Sequence, residues 1–525
     1  MKKIGYILAG LIGLAACADD EGNYNYHEIN EMTVRGFGDT DTVYNLLYMV
    51  DTLKIEPTLD CTLDKEPDDE NYTFRWELTN RQELGVTQIV SRERKLALPI
   101  EMTPGNYTIT LRVKDKSTGL AKTIDYPMQV GLTYSKGLYV LCDREDGSVQ
   151  LDMIAMIESR QDTLILEDML ADTDIPPLKH GIEVLHTGSN DNEENVRLWV
   201  MTETGSYYLN SKTMQGDASN TIWKMMYSSI PMDKESVYPV EGYPKICMGS
   251  QSGTKSGYVR GFRLNNGAFV FTQHMLVELY NNPISVYRTT PTQLINAFPG
   301  CLYSARYLRR VILFDMDSQS FIGAQSPEYE TYMTTMINPG FMAFPYNNKS
   351  YNRTCIHMEN TRNPQYQDKG TSYALMKNTV NGDLFIYGFD AYNNITSSAK
   401  AFWRIDMDLA RNIDKATKFL FSSDRLVLYY LVDNKVYAYS FNTGNEKCEV
   451  VANFRDSEVT WWDVDKWTEK SYDYIWVATY NPATGGVISK YKEPDDQNMM
   501  AWEKTDTEWG GFHRIKSVCW RNCNY

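Results

Sequence analysis

From Lys136 to Tyr525 one pattern recurs: an alternating strand, a turn containing Gly, Asn or Asp, and a second alternating strand. Gly137-Leu138-Tyr139-Val140-Leu141 passes Glu145-Asp146-Gly147 into Val149-Gln150-Leu151, and Arg197 to Thr202 passes Gly205 into Tyr207-Tyr208-Leu209. Gly257 to Phe262 runs through Asn265-Asn266-Gly267 to Phe269-Val270-Phe271, and Cys301 to Ala305 precedes Val311-Ile312-Leu313-Phe314. Tyr373 to Met376 passes Asn381-Gly382-Asp383 into Leu384 to Tyr387. Leu426 to Leu431 turns at Asp433-Asn434 into Val436 to Phe441, and Tyr474 to Thr479 turns at Gly485-Gly486 into Val487-Ile488-Ser489. A period of two is the mark of strands, and a lone hairpin is marginal in water, so these units must pack on one another. Most start at intervals of roughly fifty to sixty residues, near the range of kelch-like units. With two more strands per hairpin to complete a blade, the pattern predicts a β-propeller of about seven blades, a tandem of large sandwiches being the alternative. His513 to Trp520 is the expected closing strand.

The preceding ninety or so residues also alternate, as in Tyr72-Thr73-Phe74-Arg75-Trp76-Glu77-Leu78 and Tyr107-Thr108-Ile109-Thr110-Leu111-Arg112-Val113. Short strands around a buried Trp76 suit a β-sandwich of immunoglobulin type. The expected fold class is therefore all-β: an immunoglobulin-type sandwich over 40–131, followed by the propeller over 132–525.

The first residues carry a different signal. Lys2 and Lys3 precede an apolar run from Ile4 to Leu14, and Leu14-Ala15-Ala16 precedes Cys17. Charge, a short apolar stretch and small residues at a cut make residues 1–16 a signal peptide rather than a membrane span. Leu-Ala-Ala-Cys resembles the lipobox of bacterial lipoproteins, which implies lipidation of Cys17 and a stable membrane anchor. Residues 17–39 read as the lipidated N-terminus and a polar tether. Asp19, Asp20 and Glu21 directly after the lipid resemble the acidic export signal of Bacteroidetes lipoproteins that reach the outer face of the outer membrane.

A net charge of -16 argues against nucleic acid, which needs clustered Lys and Arg. Of nine cysteines one is taken by lipid, and the rest are mostly isolated in apolar runs, as expected of buried thiols. There is no Gly-x-Ser-x-Gly, no His-Glu-x-x-His and no phosphate-cradling glycine loop. The six histidines show no ligand spacing, Asn190 to Glu194 lacks the spacing of a calcium loop, and Asp315-Met316-Asp317 and Asp406-Met407-Asp408 read as turns. No catalytic residue, metal or cofactor is expected. Aromatics are in excess at 13%, and Trp461, Trp462, Trp467 and Trp476 crowd one segment as possible ligand contacts. Adjacent strand residues face opposite ways, so Trp461 and Trp462 cannot enter the same core.

Trp76, the strand at Leu96-Ala97-Leu98, the run Gly105 to Asp115, the upstream Asn23 to Asn30 and the downstream Ser135 to Leu141 together resemble the PKD-like family of Bacteroidetes surface lipoproteins. That resemblance implies a place in the outer membrane, exposed at the cell surface, beside a TonB-dependent transporter and its lid lipoprotein. The expected function is that of a non-catalytic accessory of nutrient uptake, binding a glycan, a peptide or the importer. A surface propeller glycoside hydrolase or lyase, and a pure scaffold for other lipoproteins, are the alternatives.

Overall fold

The computed structural model describes residues 29–37, 43–82, 86–157, 162–187, 197–210, 213–245, 260–272, 279–304, 307–337, 343–363, 370–465, 473–496 and 498–522. Cys17, the acidic residues after it, Asn190 to Glu194 and Trp467 lie outside them. The chain divides into two compact units, Met1–Thr133 and Tyr134–Asn524.

In the first unit the longest alternating runs become the centre of a sheet. Its strands lie in the order Tyr44–Leu47, Ala121–Gly131, Gly105–Asp115, Tyr72–Asn80 and Thr87–Ser91. Two short pairs, Met32–Arg35 with Thr58–Cys61 and Thr52–Ile55 with Leu96–Pro99, supply the opposing layer. Trp76, Ile109 and Leu111 on one side meet Leu53, Ile55 and Leu59 on the other, and Trp76 is fully buried. Its indole N–H donates to the Glu93 carbonyl at 3.0 Å. The Tyr107 hydroxyl donates to the Thr103 carbonyl at 2.6 Å, a tyrosine tied to backbone just upstream as in immunoglobulin-type corners. Met32–Arg35 falls in the stretch expected as tether. Met32 alternates with polar neighbours and is buried, so the sandwich begins before residue 40.

Asp115 ends the central strand and organises the turn after it. Its carboxylate accepts the Ser117 N–H at 2.7 Å, the Ser117 hydroxyl at 2.6 Å and the Thr118 N–H at 3.2 Å, and the Asn30 amide donates to it at 3.1 Å. The Ser117 and Asn30 hydrogen bonds hold its pKa below the usual carboxylate range. Asp115→Ala is expected to destabilise the sandwich by about 2 kcal/mol, the scale of a buried hydrogen-bonding group lost. Because the folded pKa is depressed, wild type keeps this advantage above about pH 4 and loses it as pH falls further. Denaturation midpoints of the two proteins should therefore converge in acid.

Among the described residues the second unit holds seven antiparallel blade sheets in chain order, and a two-stranded antiparallel pair, Val286–Tyr287 with Thr290–Leu294, between the third and the fourth. The sheet here numbered blade one is ordered Asp162–Leu166, Val149–Ile157, Lys136–Asp143 and Arg514–Asn522. Its innermost strand is thus the last of the chain, paired antiparallel along the whole of Lys136–Asp143. Blades two and three start at Gly181–Thr187 and Pro239–Tyr243, blade four at Leu302–Ser304, and blades five, six and seven at Arg353–Asn360, Lys418–Phe421 and Glu458–Val464. Separate apolar clusters fill the seams. Trp199 and Phe262 lie in the one shared by blades one to three, Phe321 and Tyr387 between four and five, and Leu138 and Trp476 between seven and one. Sequential sheets with filled seams, closed by the C-terminal strand in the first blade, make a seven-bladed propeller.

Six of the seven hairpins read from the sequence are the second and third strands of their blades, counted from the inside. Blade four differs: Leu302–Ser304 is its innermost strand, and its middle pair is Tyr307–Asp315 with Ser320–Ala324. The turn between them is the Asp315-Met316-Asp317 segment, whose Asp315 carboxylate accepts the Asp317 N–H at 3.0 Å and the Ser318 hydroxyl at 2.6 Å. Asp406 caps a turn in the same way, accepting the Asp408 N–H at 3.0 Å. Both carboxylate pairs are turn residues, as expected.

Candidate functional site

The seven inner strands converge on an axis, and each junction between neighbours is bridged by a polar side chain. The Val184 N–H of blade two donates to Ser517 Oγ of blade one at 3.2 Å, and the Gly242 N–H of blade three to Glu183 Oε2 at 2.9 Å. The Lys245 N–H donates to the Tyr303 hydroxyl of blade four at 3.2 Å, and the Tyr303 N–H to Asn360 Oδ1 of blade five at 2.7 Å. The Phe421 N–H of blade six donates to Glu359 Oε2 at 2.7 Å. Lys418 Nζ reaches the Val459 carbonyl of blade seven at 3.1 Å, and Arg514 pairs with Glu458 across the last junction. A Cβ at Gly242 would lie 2.2 Å from Leu185 Cδ2, so a larger residue there would have to displace that buried side chain.

Around this axis lie two hollows of about 320 and 200 Å³, which share Glu241, Lys245 and Asp463 as lining and between them draw on all seven blades. Their charges are of both signs. Lys245 Nζ lies 2.5 Å from Glu183 and 3.4 Å from Glu241, and Arg263 Nε lies 3.1 Å from Glu241. Burial works against the charge on Lys245, but Glu183 and Glu241 outweigh it and hold the ammonium above the ordinary lysine range. Burial pushes the Glu183 carboxyl up, with Lys245 only partly offsetting it. Glu241 is buried too, yet Lys245 and Arg263 together draw it down. On one wall of the smaller hollow, His357 Nε2 sits 3.2 Å from Glu359.

The tryptophans separate. Trp461 and Trp462 take opposite faces of their strand. Trp461 is half-buried, packs toward the seam with blade one and lines the larger hollow. Trp462 is buried in the seam with blade six, edge-on to Trp502 at 6.4 Å, and lines the smaller hollow. Trp476 corrects the expectation of a ligand contact. It is 1% exposed on the second strand of its blade, stacked on Trp509 at 5.9 Å, and belongs to the core. Sequence reasoning missed Glu183, Glu241 and Lys245, which look like solvated positions until the ring closes. Among the described residues no group of three or more His, Cys, Asp or Glu is placed to hold a metal ion, and the six described cysteines are free thiols.

The class that fold and cavity define is a PKD-type β-sandwich followed by a seven-bladed propeller with a charged axial cavity. Residues 17–174 match the model of the PKD-like family. The match runs through the sandwich and on past the first three strands of blade one. No curated protein matches the chain. Among solved structures it is similar to a quinonprotein alcohol dehydrogenase-like protein from Bacteroides thetaiotaomicron, 10% identical over 93% of this chain and 99% of that one, with a TM-score of 0.36. It is also similar to BamB from Moraxella catarrhalis, 11% identical over 68% and 83%, TM-score 0.28. PorZ, a surface component of the type-IX secretion system of Porphyromonas gingivalis, is 10% identical over 87% and 63%, TM-score 0.23.

Proposed function

We propose that this protein is a lipid-anchored, surface-exposed accessory of an outer-membrane nutrient importer, whose propeller binds without performing chemistry. A PKD-like sandwich joined to a propeller is consistent with a non-catalytic accessory role. The observation that carries the reading is the state of the axial carboxylates. Glu183 and Glu241 are both engaged by Lys245, and Glu183 also accepts the Gly242 N–H that locks blades two and three. A hydrolase needs one carboxyl free to give a proton and another free to attack or activate water. Here both belong to the scaffold of the ring.

The lipobox at Leu14 to Cys17 and the acids at Asp19 to Glu21 support the anchor and the outward placement. Cys17→Ala should move the protein from the membrane fraction to the soluble fraction; a variant still in membranes refutes the anchor. A pull-down in mild detergent through a C-terminal tag tests the rest. Co-purification of a TonB-dependent transporter and its lid lipoprotein is the expected result. Recovery of the chain alone, with cleavage of an offered glycan, would favour the surface hydrolase or lyase instead.

A further inference from the structure

We infer that the larger axial hollow takes one end of a neutral saccharide, held by hydroxyl hydrogen bonds to its charged walls and by the ring of Trp461. The inference rests on the binding reading above and gives its ligand a chemical class. At about 320 Å³ the hollow falls at the lower end of small-molecule sites, which span roughly 300–1,000 Å³. That size suits a chain end rather than a long stretch.

The charges select against charged ligands. An anion entering beside Lys245 meets Glu183, Glu241 and Asp463, and a cation meets Lys245, Arg263 and Lys516. Either must break or crowd an existing pair, since Lys245 already sits between Glu183 and Glu241 and Arg263 is paired with Glu241. A hydroxyl both donates and accepts, so it can bridge a paired cation and anion without separating them. Hydrogen bonds to ionised groups are also the stronger kind. Trp461 adds the other requirement. It is half-buried on the wall of the same hollow, and an amphipathic ring of this sort suits the C–H face of a sugar.

The test is equilibrium binding to the purified full chain, read by tryptophan fluorescence and calorimetry. The probes are neutral hexoses, N-acetylhexosamines and their disaccharides, alongside the matching hexuronates, free amino sugars and zwitterionic dipeptides. At least one neutral saccharide should bind, with its uronate and amino counterparts at least tenfold weaker. Trp461→Ala should lower that affinity tenfold or more, while Trp461→Phe, which keeps an aromatic platform, stays within about threefold. Should Trp461→Ala fail to fold, Lys516→Met on the same wall decides, with an expected loss of about tenfold. Absence of binding by every neutral saccharide overturns the inference, as does tighter binding of a charged sugar or a dipeptide, or undiminished binding by the alanine variant. An importer still recovered in the pull-down after such a failure leaves the accessory reading standing. Conversion of the bound sugar to product instead overturns the non-catalytic reading alone.

Discussion

Removal of residues 514–522 with the three that follow should abolish the folding of the propeller while leaving the sandwich intact. The last strand is the innermost strand of blade one, and among the described residues nothing else fills its place between blades seven and two. Ile515, Val518 and Cys519 are buried from it, and Arg521, fully buried, donates to the Tyr139 hydroxyl at 2.6 Å. Without the strand, Lys136–Asp143 becomes an open edge, two seams lose a wall, and the Val184 N–H loses Ser517. Buried apolar area contributes about 25 cal/mol per Å², so losing a nine-residue core strand takes away a share comparable with the roughly 5–15 kcal/mol by which a domain is stable. The sandwich has a core of its own, built from residues before Thr133. Calorimetry of the truncated chain should show its transition alone. A second, unchanged transition from the propeller would mean that the ring does not depend on this closure.

The second large effect is expected at Lys245. Its ammonium is the shared partner of two axial carboxylates, with side-chain exposures of 28% for Lys245, 12% for Glu183 and 23% for Glu241. Removing one member of a buried pair costs roughly 3–5 kcal/mol, because the partner is left charged and uncompensated. Residual solvent access lowers that to about 2–3 kcal/mol for Lys245→Met. Glu183→Gln in the same chain should restore part of the loss. It removes the orphaned charge and keeps an oxygen for the Gly242 N–H, while Glu241 retains Arg263. Urea denaturation of the wild type, both single variants and the double variant completes the cycle. If Lys245→Met matches wild type, the axial ion pairs do not hold blades two and three together.

Strand identity could be read from sequence, because period-two alternation is local and was strong at Tyr72 to Leu78 and at Leu426 to Phe441. The opposed faces of Trp461 and Trp462 follow from strand geometry alone, and the structure places them in two different seams. Blade four was harder. Its short innermost strand sits close to the next one, so two strands of different rank looked like one hairpin. The axial cavity could not be read at all, since Glu183 meets Lys245 only after blades two and three are laid side by side. One signal was present: acidic residues recur on the inner strands of blades two, three, five and seven, at Glu183, Glu241, Glu359 and Asp463. Trp476 misled because density of tryptophan along the chain says nothing about which strand faces the axis.

We propose that the axial site binds and does not react. Its most direct test is to incubate the purified chain for a day with the saccharide it retains best and to weigh the recovered sugar by mass spectrometry. Quantitative return of the intact saccharide, with binding lost in Trp461→Ala, is the predicted result. Shorter or unsaturated products that disappear in Glu183→Gln or Glu241→Gln would contradict it and make the axial carboxylates catalytic.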